Sequence, residues 1–97
     1  MIDAGDIHLA DLHEERRRRV LVISNGRFHA ASGRVLVAPE AVGDADEVPF
    51  PWRVQVDDAI FALDLVRSLP VERLLDRIDR APAAAVAMVR RALRNIT

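Results

Sequence analysis

The stretch "RRRRVLVISN" (residues 16–25) joins four consecutive arginines to a run of apolar, mostly β-branched residues. The segment "VLVIS" (20–24) shows no polar alternation, which is typical of a strand that is buried on both faces. Guanidinium groups so close together repel one another unless acidic side chains or a bound anion lie among them. The stretch therefore predicts a buried strand that begins in a charged cluster.

The arginine run admits three interpretations. It can be a solvated turn in which Glu14 and Glu15 pair with arginines, each exposed pair contributing about 0–1 kcal/mol. It can instead contact nucleic-acid phosphates, or supply one catalytic arginine with charged neighbours. Composition alone favours the solvated turn, because charge runs are usually solvated.

Further strands are indicated on both sides of this stretch. "GDIHLADL" (5–12) alternates between apolar and other residues and predicts a half-buried strand. "NGRFHAASG" (25–33) predicts a turn or short helical loop that opens at Asn25 and Gly26. The remaining candidates are a strand at "RVLVAP" (34–39), an acidic loop at 40–47, an edge strand at "PFPWRVQV" (49–56) and a strand at "DDAIFALDLV" (57–66).

The apolar period changes to that of a helix from Ser68 onward. Ser68 can cap a helix whose apolar face has i, i+3, i+4, i+7 spacing, formed by Val71, Leu74, Leu75 and Ile78. Pro82 begins a second helix, with an apolar stripe of Val86, Val89, Leu93 and Ile96. Strands followed by helices predict a small α+β domain over residues 1–97, built on a curled antiparallel sheet.

Composition excludes several classes of protein. The 97-residue chain has no cysteine, so it forms no disulfide and offers no thiolate, which fits a reducing compartment. No apolar run approaches the roughly 20 residues of a membrane span, and the N-terminus lacks a signal peptide's basic region, so we expect a cytoplasmic protein. The net charge is −1, and all 14 basic residues are arginines.

Common catalytic and metal-binding patterns are not found in the sequence. His8, His13 and His29 lack the spacing of a metal site, so we expect neither a metal nor a cofactor. Ser24 and Ser32 have no recognisable triad context, and the glycines form no phosphate loop.

Five motifs, taken in order, resemble the MazF/PemK toxin family. Residues 5–12 are similar to its G-D-[IV]-x-x-x-D-L, and "RRVLVISN" (18–25) is similar to R-P-V-L-V-[IV]-S-N, with Arg19 in the proline position. The others are "VAPEA" (37–41), similar to V-x-P-[IV]-[TS]; "LDLVRSL" (63–69), similar to D-Q-[IV]-R-[TS]-L; and "ERLLDRIDRAP" (72–82), similar to the family's ending before its last helix. No single motif is specific, but together they cover nearly the whole chain.

The resemblance implies an SH3-like antiparallel β-barrel with a C-terminal helix, forming a homodimer. Proteins of this family cleave single-stranded RNA without a metal, and an antitoxin with an acidic, flexible tail neutralises them. The family's catalytic arginine corresponds to Arg18, whereas the position of its catalytic hydroxyl falls on Ala41, after Glu40. The second donor to the phosphate is left open among Ser24, Asn25 and a backbone N–H near Gly26.

Other residues are expected to contact RNA or the antitoxin. Arg16, Arg17 and Arg19 are expected to be groove or rim charges, and the further candidates are Ser24, Asn25 and Arg27. The aromatic side chains can stack on bases or belong to the core; they are Phe28, Phe50 and Trp52.

Ala41 keeps a non-enzymatic alternative open, in which a dimer with this fold binds an antitoxin or another target without cutting RNA. A related toxin type, CcdB, acts on DNA gyrase, but its aromatic-glycine ending is absent from "RRALRNIT" (90–97).

Overall fold

The computed structural model describes residues 2–41 and 52–96. Five strands form one antiparallel sheet in the order β6-β3-β2-β1-β7, and β4 pairs with β5 in a separate two-stranded sheet. The elements are β1 (Asp6–Ala10), β2 (Arg18–Val22), α1 (Gly26–Ser32), β3 (Arg34–Pro39), β4 (Arg53–Val56), β5 (Ala59–Ala62), β6 (Arg67–Pro70), β7 (Leu74–Arg80) and α2 (Ala83–Ile96).

The β2 strand lies in the middle of the larger sheet, between β1 and β3. Leu21 packs into one apolar core, beneath α2 and the smaller sheet, together with Phe61. Val20 and Val22 pack into a second core on the other face, together with Val37. The prediction of a strand buried on both faces is therefore confirmed.

A capping residue at each end determines the short helix that follows β2. The Asn25 side chain accepts a hydrogen bond from the N–H of Phe28 at 2.9 Å and caps α1. Gly33 ends the helix in the left-handed conformation, with φ of 68°. The expected short helical loop is thus a two-turn helix.

The helix predicted from Ser68 is wrong. Ser68 lies in β6, a 3₁₀ turn follows at Val71–Arg73, and Leu74–Arg80 is the strand β7, which pairs with β1. The register between β1 and β7 shifts twice, so β7 contains extra residues that interrupt its alternation. A bulged strand places apolar residues at irregular intervals, and here the intervals coincide with those of a helix.

The expected barrel is also not found. Within residues 2–41 and 52–96, the larger sheet has β6 and β7 at its two edges, and no ladder joins these strands to close it. The observed class is α+β, with two helices and an antiparallel five-stranded sheet.

The C-terminal helix is confirmed, and it packs closely on the first core. Its buried positions are Ala85, Val89 and Ala92, with Val86 and Leu93 half-buried beside them. Gly5, just before β1, has φ of +95°, and a Cβ built there would lie 3.0 Å from the Val86 methyl carbon. Glycine is required at this point because both the conformation and the contact disfavour a side chain.

None of the helices within the described residues is long and apolar enough to cross a membrane.

Candidate functional site

The first residue of β2 holds a carboxylate from the preceding turn. The Arg18 guanidinium donates to a Glu14 carboxylate oxygen at 2.7 Å. The exposed fractions of the two side chains are 25% and 40%. Both groups are thus accessible to a ligand, and the pair leaves other guanidinium donors unused.

Arg19 is held by two carboxylates from elsewhere in the chain. One guanidinium nitrogen lies 2.5 Å from Glu40, at the end of β3, and another lies 3.1 Å from Asp58, in the turn between β4 and β5. The hydrogen bond with Glu40 raises the pKa of Arg19 above its ordinary value, against the effect of burial, and the hydrogen bond with Asp58 adds to the rise. Arg19 therefore remains cationic at any working pH.

The two arginines lie on opposite faces of the sheet, because neighbouring strand residues alternate. The β2–β3 register pairs Val20 with Pro39, and the N–H of Glu40 donates to the carbonyl of Arg19 at 2.9 Å. Continuing this register by two residues places Arg18 opposite Ala41, whose own N–H donates to the Ile60 carbonyl of β5 at 2.7 Å. By this register Arg18 and Ala41 fall on one face at the start of β2, and Arg19 and Glu40 fall on the other.

Arg16 and Arg17 are exposed in the turn before β2. In the part of the chain that the structure describes, neither forms an ion pair or a hydrogen bond through its side chain. The same is true of Arg27, an exposed residue of α1. Their charges are available to an anionic partner.

The remaining candidates lie at the opposite end of β2. Ser24 and Asn25 follow the strand, so at about 3.3 Å per residue they are roughly 20 Å along the chain from Arg18. Asn25 uses its side-chain oxygen to cap α1. The structure therefore does not bring Ser24, Asn25 or Arg27 together with the arginines at the N-terminal end of β2.

Ser24 is part of a buried hydrogen-bond chain that the sequence did not reveal. Its Oγ lies 2.6 Å from His29 Nε2 and accepts the N–H of Leu36 at 2.9 Å. His29 Nδ1 donates to the Ile2 carbonyl at 3.0 Å, so Nε2 accepts the serine proton. These hydrogen bonds connect the N-terminal segment, the β2–α1 turn and β3. No spacing rule identifies such a pair, because the capped turn of α1 creates it.

The aromatic candidates differ in accessibility. Phe28 is 37% exposed and its ring lies 6.3 Å from that of His29, edge to face. Trp52 is half-buried. Phe50 lies outside the described residues, as does most of the predicted acidic loop, 42–47.

The histidines do not assemble into a metal site in the described ranges, where no group of three or more potential ligands is found. His8 is buried, and its Nδ1 donates to the Leu75 carbonyl at 3.0 Å.

The sequence model of one protein family, the PemK-like, MazF-like toxin of type II toxin–antitoxin systems, matches residues 3–97. The chain belongs to this family. No curated protein sequence matches the chain. The fold is similar to that of MazF in a MazE–MazF crystal structure from Deinococcus radiodurans, with 24% identity, a TM-score of 0.79 and coverage of 98% of this chain and 93% of that chain.

Two mycobacterial structures are also similar. An endoribonuclease solved with its cognate antitoxin has 16% identity, a TM-score of 0.83 and coverage of 98% of this chain and 93% of that chain. The Mycobacterium tuberculosis toxin MazF-mt6 has 20% identity, a TM-score of 0.69 and 93% coverage of both chains. This MazF-like fold thus extends over nearly the full length of these relatives.

Proposed function

We propose that this toxin-family member is a metal-independent endoribonuclease that cleaves single-stranded RNA in the cytoplasm. One MazF/PemK-like domain over residues 1–97 would carry the activity, and two copies would form the working dimer. The observation that supports this function best is the accessible Arg18–Glu14 pair at the N-terminal end of β2. Continuing the β2–β3 register puts Arg18 on the same face as Ala41. The pair offers a cation for a phosphate and a carboxylate beside it.

Arg18 would bind the scissile phosphate. Attack by a ribose 2′-hydroxyl increases the negative charge on the phosphoryl oxygens, and a guanidinium supplies two fixed donors to them. Glu14 engages only one of the Arg18 nitrogens, so the others remain free for the phosphate. A guanidinium has only donors and no acceptor, so Arg18 stabilises the phosphate charge and another group takes the proton.

Glu14 would accept the proton. In this step the 2′-hydroxyl proton passes to the Glu14 carboxylate, the 2′-oxygen bonds to phosphorus, and the bond from phosphorus to the 5′-oxygen breaks. The leaving oxygen takes a proton from water, and the product is a 2′,3′-cyclic phosphate. The 2.7 Å contact holds Glu14 beside the group that binds the phosphate.

The partner would be an antitoxin with an acidic, flexible tail. The solved MazE–MazF and mycobacterial complexes contain an antitoxin, which supports such a partner here. Exposed Arg16 and Arg17, with the accessible Arg18, suit an acidic peptide that competes with RNA. Raising the salt concentration should weaken this complex.

A long RNA incubated with the purified protein in EDTA tests the activity. We expect slow cleavage, lost in Arg18→Ala and retained in Arg34→Ala, a control arginine that bonds only to Ser68. Cleavage that persists in Arg18→Ala would assign the chemistry to another group.

The absence of a hydroxyl at Ala41 favours a second candidate function, a toxin-fold dimer that binds its antitoxin or another target such as DNA gyrase without cutting RNA. No cleavage of any long RNA by the wild type, with tight antitoxin binding, would support this candidate.

A further inference from the structure

The C-terminal helix carries charge of one sign only. Ala83–Ile96 contains Arg90, Arg91 and Arg94 and no aspartate or glutamate, although the whole chain has a net charge of −1. All three arginines are exposed. The charge of the chain is therefore segregated, with a purely cationic surface along α2.

The three guanidinium groups on α2 are not engaged within the protein. Across residues 2–41 and 52–96, none of them forms an ion pair or a hydrogen bond. Most other exposed or half-buried arginines of the sheets do pair with a carboxylate, namely Arg18, Arg19, Arg53, Arg77 and Arg80. An array of unneutralised cations on a rigid helix repels itself unless an anion binds.

The array continues into a cleft at the start of α2. Arg90 and Arg80 line this cleft, whose volume is about 430 Å³, together with Asn25 and Asp3. The Asp3 carboxylate accepts the N–H of Ala4 at 2.9 Å, and Arg80 donates to buried Asp6 at 2.6 Å. The cleft joins the helix to the turn after β2, far along the chain from Arg18.

The chemistry of this surface fits a phosphate backbone better than a protein. Protein interfaces are built around apolar anchors, whereas phosphate contacts need only donors and charge. The exposed residues that precede the arginines on α2 include the small Ala84 and Ala87, and Met88 is the single large apolar group exposed on the described part of α2.

We propose that the arginine face of α2, formed by Arg90, Arg91 and Arg94, binds the RNA backbone at a site separate from the cleavage site. This inference rests on the proposed function, since it assumes an RNA substrate. Arg91 and Arg94 contact successive phosphates outside the cleft, and Arg90 contacts a phosphate at its entrance. The site increases affinity for long RNA without reading its sequence.

The test measures binding of a fully 2′-O-methylated 20-mer RNA, which lacks the attacking hydroxyl, at several salt concentrations. Each phosphate contact to a single strand contributes about 0.7 to the slope of log affinity against log salt. Arg91→Gln with Arg94→Gln should lower that slope by about 1.4 and weaken binding roughly 25-fold near 0.1 M salt. Glutamine keeps the helix propensity, and circular dichroism confirms the fold.

The matched control is Arg67→Gln with Arg73→Gln, which also removes two arginines that form no ion pair in the described residues. We expect the control to bind RNA like the wild type. If both double variants bind equally, the inference is wrong. If the wild type itself does not bind the RNA, the proposed endoribonuclease function is wrong, and the inference about α2 is rejected with it.

Two further results would overturn the inference by identifying another occupant. In the first, Arg91→Gln with Arg94→Gln loses binding to polyglutamate but keeps its RNA affinity, which identifies an acidic protein as the partner. In the second, sedimentation shows that the variant has changed from dimer to monomer, which identifies the face as a subunit interface. An unchanged sedimentation coefficient with weakened RNA binding supports the proposal.

Discussion

Arg19 and Glu40 face each other across the ends of β2 and β3, joined by an ion pair of 2.5 Å. In the family pattern these positions hold proline and an aliphatic residue, so two departures that look independent in the sequence form one interaction. A lone charge at either position would be half-buried without a partner. The departure from the pattern is therefore compensated within the fold.

A double-mutant cycle on this pair should show coupling. Arg19→Ala and Glu40→Ala each remove one partner, and we expect a coupling free energy of about 1 kcal/mol in urea unfolding. The control cycle uses Asp58, which also contacts Arg19 but is 82% exposed, so its coupling should be near zero. Equal coupling in both cycles would show that burial does not set the strength of the pair.

Arg18→Lys should separate binding from chemistry. Lysine keeps the charge but loses the two-pronged donor, so we expect RNA affinity within about threefold and a cleavage rate lower by about 100-fold. Single-turnover rates and binding to uncleavable RNA provide the two readouts. If cleavage survives in Arg18→Lys, charge alone is sufficient and the bidentate geometry has no role.

Glu14→Gln should slow cleavage without weakening RNA binding. The substitution removes the proposed proton acceptor, whose contribution we place at about 100-fold or more, and also removes a negative charge near the phosphate. Glu15→Gln is the control, because the neighbouring carboxylate makes no ion pair with any described residue. Faster cleavage in Glu14→Gln would mean that the carboxylate competes with the phosphate for Arg18.

Ala41→Thr should raise the cleavage rate. Continuing the β2–β3 register places residue 41 opposite Arg18, so a hydroxyl there adds a donor on the same face. One such donor contributes about 100–1000-fold in other enzymes, and we expect at least a tenfold gain. Ala41→Val has a similar shape without the hydroxyl, and it should leave the rate unchanged; an equal gain in both variants would point to packing.

Ser24→Ala should reduce stability rather than cleavage. It leaves the Leu36 N–H and His29 Nε2 without their buried partner, at a cost of about 1–3 kcal/mol in the free energy of unfolding. Ser32→Ala is the control, since Ser32 is exposed. Wild-type stability in Ser24→Ala would show that this hydrogen-bond chain does not stabilise the fold.

Local patterns predicted the elements whose residues stay close in sequence. The apolar run at 20–24 and the alanine-rich segment after Pro82 each produced the expected element. The alternation at 5–12 predicted a half-buried strand, whereas β1 lies between β2 and β7 in the sheet and is buried on both faces. The strand β7 was not predictable in this way, because its bulges follow from pairing with β1, more than 60 residues earlier. The open sheet likewise depends on long-range pairing.

In the candidate site, too, contacts between residues close in sequence were easier to predict than contacts that depend on long-range pairing. The resemblance identified Arg18, and the sequence predicted Glu14 or Glu15 only as a possible ion-pair partner of the arginines; the Glu14 contact with Arg18 spans one turn. The Arg19–Glu40 pair and the Ser24–His29 bond depend on strand register and a helix cap, so neither was foreseen. Charge segregation on α2 was visible in the sequence, but its exposure and lack of partners were not.

The pairing of β1 with β7 also bears on synthesis. β1 is made first, yet one of its two neighbours is made only near residue 80, and buried Asp6 meets Arg80 only then. A nascent chain therefore lacks this strand and this counter-charge until most of it has been translated, at about 5–20 residues per second. The five-stranded sheet can therefore be completed only after its other four strands have already been made.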